Sequence, residues 1–150
     1  MVTLPPPSAA PLDPQRPDAL ESFAERAVET FKSLISRGEE PRFAVGALEG
    51  LSGGFTREEI EAIVVPKRTL ARRLAKKEPL TVEETDRALR LARIGAQAER
   101  VFGNPEKAGR WLRKPSPALA GQTPIAMLRS ETGAQLVAEL LGQIAHGMFV

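Results

Sequence analysis

Residues 56–74 read TREEIEAIVVPKRTLARRL, and this stretch decides the fold. Thr56-Arg57-Glu58-Glu59 is a capping-box pattern, with Ile60, Ile63 and Val64 as a narrow apolar stripe behind it. Val65-Pro66 breaks the helix it opens, because the residue before proline is pushed out of the helical region. Proline is tolerated at a first helical position, so a second helix is expected from about Pro66. Two short helices across a tight break form a helix-turn-helix candidate.

The second helix carries Lys67, Arg68, Arg72, Arg73 and Lys76, followed by Lys77. No acidic residue interrupts them, and the remaining 15 basic residues of the chain are outweighed by 19 acidic ones. Positive charge is thus gathered in one segment, as binding to phosphate requires. At 100° per residue, Leu70, Ala71, Leu74 and Ala75 project to one side, expected to be internal, and Thr69, Arg72, Arg73 and Lys76 to the other, with Arg68 flanking. The DNA-contacting candidates are therefore Arg68, Thr69, Arg72, Arg73 and Lys76, since arginine pairs bidentately with guanine in the major groove. A solvated basic face, or one that meets a membrane or an acidic partner, shares the same pattern.

Outward from this stretch, the periodicity is helical throughout. Asp18 can cap a helix carrying Leu20, Phe23, Ala24, Ala27, Val28, Phe31, Leu34 and Ile35, with Gly38 as its stop. A short helix is expected after Pro41, over Phe43, Val45, Ala47 and Leu48. Thr81-Val82-Glu83-Glu84 is a second capping box, opening a helix with Leu89, Leu91, Ala92, Ile94, Ala96 and Val101 inward. Asn104-Pro105 and Thr123-Pro124 each pair a cap with a first-turn proline, and Ser130 precedes a helix with Leu136, Val137, Leu140, Leu141 and Ile144 inward. No alternating strand pattern of useful length occurs. The expected fold is all-α: a helical bundle with a helix-turn-helix subdomain over 18–102 and a small helical subdomain over 103–150, meeting near Phe102-Gly103-Asn104. Residues 1–17 hold six of the chain's prolines and are expected to form a disordered tail.

Length and composition narrow the classes of function. One hundred and fifty residues at 42% hydrophobic and 27% charged fit a soluble domain with a modest core. Without cysteine there is no disulfide, thiolate nucleophile or cysteine-based metal site, and one histidine leaves only carboxylates as further ligands. No serine or aspartate pattern converges on His146 to make a triad. Catalytic residues, metal and cofactor are all expected to be absent, and the chain is not expected to be an enzyme. Neither a signal-peptide pattern nor a membrane span occurs, and a cytoplasmic location is expected. Trp111, the only tryptophan, is expected in the core with Leu112 and Leu119.

The last third carries Trp111-Leu112-Arg113-Lys114-Pro115, Ala118-Leu119-Ala120-Gly121-Gln122-Thr123-Pro124, Met127-Leu128 and Glu131-Thr132-Gly133-Ala134. This spacing resembles the toxin-binding domain of the Xre/MbcA/ParS family of antitoxins. Arg68-Thr69-Leu70-Ala71-Arg72-Arg73-Leu74 is similar to the family's recognition-helix signature, and Thr85-Asp86-Arg87 and Val101-Phe102-Gly103 to its later elements. Where family members often show Gly-Ile-Ser in the turn, this chain has Ile63-Val64-Val65-Pro66-Lys67.

The resemblance implies an antitoxin that sterically blocks a RES-domain toxin and represses its own operon. NAD is then the toxin's substrate and not a cofactor here. The implied partners are that toxin, operator DNA and a second copy of the chain in a homodimer, with no membrane. The implied toxin-contacting residues are Gln143, His146, Met148, Phe149 and Val150. Met148, Phe149 and Val150 follow the helix stop at Gly147 and are expected to bury, on the chain's own core or in a partner. Two readings compete. One is a solitary helix-turn-helix regulator whose C-terminal module dimerises or binds another protein; the other is a pure interaction module.

Overall fold

The computed structural model describes residues 18–147. Seven α-helices follow one another: α1 (Ala19–Ser36), α2 (Arg57–Ile63), α3 (Lys67–Lys76), α4 (Val82–Phe102), α5 (Pro105–Leu112), α6 (Pro124–Met127) and α7 (Glu131–Ala145). Two 3-10 segments, Val45–Leu51 and Pro117–Leu119, join them, and no strand occurs among the described residues. The all-α expectation holds. The Pro-rich segment and Met148, Phe149 and Val150 lie outside the described residues.

Both capping boxes form in full, with Thr56 and Thr81 each bonded reciprocally to the glutamate three residues on. Asn104, Thr123 and Ser130 cap α5, α6 and α7 by accepting from the N–H groups of Lys107, Ala126 and Gly133. Each such bond satisfies an N–H that the helix itself leaves orphaned. Asp18 stands at the N-cap of α1 without a side-chain cap bond. The expected short helix after Pro41 is the 3-10 segment, which buries Ala47, Leu48 and Leu51.

Helix α4 is the spine of the fold, with α1, α5 and α7 packed along it. Gly95 makes the closest approach possible, since a Cβ there would meet Leu20 Cδ2 at 2.5 Å and Phe55 Cε2 at 2.9 Å. Arg90 joins α4 to the start of α7: it pairs with Asp86 at 2.9 Å and Glu131 at 3.0 Å and donates to the Leu128 carbonyl at 3.3 Å. Further along, Gln97 Nε2 donates to the Ala138 carbonyl at 3.1 Å. One continuous core runs from Leu20 to Leu141 across both expected subdomains.

Besides Ala71 and Ala75 of α3, three large aliphatic residues depart from the expected inward set. Ile35 of α1, Leu74 of α3 and Leu136 of α7 are exposed. Trp111 departs too: it is half-buried, with its ring 5.6 Å from that of Phe102 at 40°, whereas Leu112 and Leu119 are inside as expected.

Candidate DNA and protein interfaces

The break between α2 and α3 works without the family's glycine because no residue in it has positive φ. Val64 keeps right-handed helical geometry at the end of α2, and Pro66 extends the chain at φ −57°, ψ 148° to start α3. Val64 and Val65 are almost wholly buried, so apolar packing fixes the turn. Arg87 of α4 donates from Nε to the Val64 carbonyl at 3.0 Å. The Thr85-Asp86-Arg87 element is therefore a brace: Thr85 accepts the Phe43 N–H at 2.9 Å, Asp86 pairs with Arg90, and Arg87 holds the turn.

The orientation of α3 corrects the expectation drawn from its sequence. Leu70 and Arg73 face inward, while Arg68, Ala71, Arg72, Leu74, Ala75 and Lys76 are exposed and Thr69 is half-buried. Arg73 is only 8% exposed and cannot meet DNA. Its guanidinium pairs with buried Glu84 at 3.1 Å and with Glu78 at 3.7 Å, and donates to the Pro79 carbonyl at 3.4 Å. A buried charge without such a partner would be expelled, so Glu84 determines which arginine turns in. The outward face keeps Arg68, Arg72 and Lys76, flanked by exposed Lys67 and Lys77.

The outward face of α7 and its C-cap presents Thr132, Leu136, Glu139, Gln143 and His146, which fall within about 80° of one another at 100° per residue and are all exposed. Gln143 and His146 are the expected contact residues within the described part of the chain; Leu136, whose periodic spacing predicts a core position, stands exposed beside them. The His146 ring turns back, with Nδ1 2.7 Å from the Gly142 carbonyl. Among the described residues no group of His, Cys, Asp and Glu could hold a metal ion, and no helix is long and apolar enough to cross a membrane.

One arginine ties the C-terminal helices to the helix-turn-helix. Arg113, just past α5, donates to both Glu59 oxygens at 2.8 and 2.7 Å and to the Gly54 carbonyl at 3.0 Å. Glu59 is also the capping-box residue of α2, so the same carboxylate closes that helix and holds the C-terminal module. Burial pushes the Glu59 carboxyl up, but the Arg113 and Thr56 hydrogen bonds together bring it below its ordinary value.

The neighbouring cleft, about 1020 Å³ and lined by Phe55, Gly95, Glu99, Pro105 and Leu112 among others, contains the opposite case. Burial, and secondarily the nearby Glu21 carboxylate, raise Glu99 to about 7. Between its ordinary value and about pH 7 the folded chain holds the extra proton, so this group's contribution falls as pH rises through that window and is constant above it. Glu99→Gln should match the wild type near pH 4.5 and exceed it at pH 8. Allowing for solvent screening at this half-exposed site, the gain is about 1 kcal/mol, a rise of a few degrees in Tm. Equal melting curves of the two proteins at pH 8 would refute this.

With this geometry in view, two family models match the chain. The antitoxin Xre-like helix-turn-helix domain covers residues 39–93, and the antitoxin Xre/MbcA/ParS C-terminal toxin-binding domain covers residues 97–147. The chain belongs to the Xre/MbcA/ParS antitoxin family.

Curated relatives agree with this. An antitoxin Xre of Pseudomonas putida is 49% identical over 84 residues, 56% of this chain and 53% of the relative. Another antitoxin Xre, from Yersinia enterocolitica, is 36% identical over 93 residues, 61% of this chain and 63% of the relative. A Prs ADP-ribosylating antitoxin of a Sphingobium species is 34% identical over 98 residues, 59% of this chain and 62% of the relative. The chain thus spans between 53% and 63% of the length of these family members. The first model ends and the second begins inside α4, so this helix contributes to both matched domains.

Proposed function

We propose that this protein is the antitoxin of a toxin–antitoxin pair whose toxin has a RES domain, and that it acts in the cytoplasm as a homodimer, not as an enzyme. The outward face of α7, with Leu136, Gln143 and His146, together with Met148, Phe149 and Val150 beyond it, covers the toxin's cleft and keeps NAD out. ADP-ribosyl groups come from NAD, so the name of the Sphingobium relative is in keeping with an NAD-consuming toxin. The same protein represses its operon through α3, two copies placing their helices in half-sites about one DNA turn apart.

The observation that carries this reading is that the two exposed faces stand on helices with different neighbours: a basic face on α3, which packs against α2 and the first 3-10 segment, and a mixed apolar and polar face on α7, which packs against α4 and α6. The protein is co-expressed with a RES-domain toxin, and growth rescue is measured beside binding to the protein's own promoter fragment. Leu136→Asp combined with Gln143→Ala should abolish rescue and leave promoter binding unchanged; Arg72→Ala should weaken promoter binding at least about tenfold and leave rescue unchanged. Full rescue by the α7 variant would remove that face from the toxin contact, and promoter binding unchanged by Arg72→Ala would remove α3 from the DNA.

A further inference from the structure

The exposed surface of α3 is not uniformly basic. Its midline carries Arg68, Ala71, Arg72 and Ala75, and Leu74, 46% exposed, borders Ala71 on one edge. Arg73 occupies Glu78 and Glu84, and no acidic residue lies between 62 and 77, so nothing in this segment neutralises Arg68 or Arg72. The two arginines stand four residues apart on one face, about 6 Å along the axis at 1.5 Å per residue. That is close to two base-pair steps of about 3.4 Å. Alanine at 71 and 75 lets the helix backbone come near the floor of a groove, and an aliphatic edge beside guanidinium groups suits the C5 methyl of thymine.

Resting on the assignment of α3 to DNA, we propose that this helix reads a half-site with two guanines about two base-pair steps apart, met by Arg68 and Arg72, and a thymine next to the second guanine, met by Ala71 and Leu74. Charge complementarity selects the occupant. The charged residues of this exposed face, Lys67, Arg68, Arg72 and Lys76, are all basic, a setting that a polyanion matches and a second copy of the same basic helix does not.

The full chain is used to select duplexes from a randomised library, and affinities for the enriched site are then measured by fluorescence anisotropy at fixed salt. Paired guanines at that spacing with an adjoining thymine are expected. Arg72→Ala should lose at least tenfold in affinity and accept any base at one guanine. Replacing the thymine by uracil removes only the methyl; it should weaken the wild type about threefold and Leu74→Ala hardly at all. Because Leu74 is exposed, its alanine variant should melt as the wild type does. An enriched site without the paired guanines, or a uracil substitution without effect on the wild type, overturns this assignment while DNA binding itself stands. Leu74→Ala that dissociates the oligomer and keeps the full thymine dependence places the strip between copies and overturns it too. No enrichment over the random library overturns the DNA-binding role of α3, and the half-site with it.

Discussion

Arg73→Ala is expected to lower folding stability by about 3–5 kcal/mol, because it strands a carboxylate in the core. Glu84 is 6% exposed, and Arg73 provides its only ion pair among the described residues. One of its oxygens also accepts the Thr81 N–H at 2.9 Å to close the α4 capping box, so the glutamate cannot swing out without uncapping the helix. Arg73→Glu would set two carboxylates side by side and should be worse. Arg72→Ala, one residue away and exposed, should leave Tm within a degree or two and act on DNA alone. Urea titrations of the two alanine variants separate these cases, and a fully stable Arg73→Ala would mean that the buried pair contributes nothing. The companion Arg73→Met/Glu84→Gln should recover most of the loss, since neither residue then leaves a charge unpaired.

Gly133→Ala should destabilise the chain by about 3 kcal/mol, against the usual gain of up to about 1 kcal/mol from this change within a helix. The opposite sign comes from packing. A Cβ at 133 would overlap the Met127 carbonyl oxygen and stand 3.0 Å from Ser130 Oγ, the atom that caps α7. The obstructing group is backbone, so no rotamer change relieves it, and α6 or the start of α7 must move. Denaturant unfolding of Gly133→Ala beside Gly142→Ala provides the comparison, because a Cβ at 142 meets nothing within 4 Å. If both glycines respond alike, the close approach of α6 to α7 is not as described.

Helix starts were the most readable part of the sequence because they depend on neighbours three residues apart. Both capping boxes, the two cap-proline pairs and Ser130 form as their local chemistry dictates. Facing was less readable where a distant partner intervened. Counting aliphatic residues at helical spacing put Leu74 inside and Arg73 outside, whereas Glu84, eleven residues further on, draws Arg73 in and leaves Leu74 in solvent. Leu136 departs for a similar reason, because α7 turns Val137, Leu140 and Leu141 inward and leaves its opposite side exposed. The Arg113–Glu59 pair spans 54 residues and had no signature in the sequence. Family likeness added what periodicity could not, namely that the C-terminal helices form a toxin-binding module.

A helix that belongs to two modules also restricts how such proteins can be recombined. Helix α4 holds α1, α5 and α7 on one unbroken stretch, so a crossover at Gly103 delivers foreign α5 and α7 onto a surface shaped for the old ones. Arg90 would then search for Glu131 and the Leu128 carbonyl in a stranger, and Arg113 would have to be supplied for Glu59. Exchange of the C-terminal module between relatives therefore calls for transplanting half a helix surface along with it. Relatives that share these few polar contacts are expected to accept one another's C-terminal halves, and those that lack them are expected to reject them.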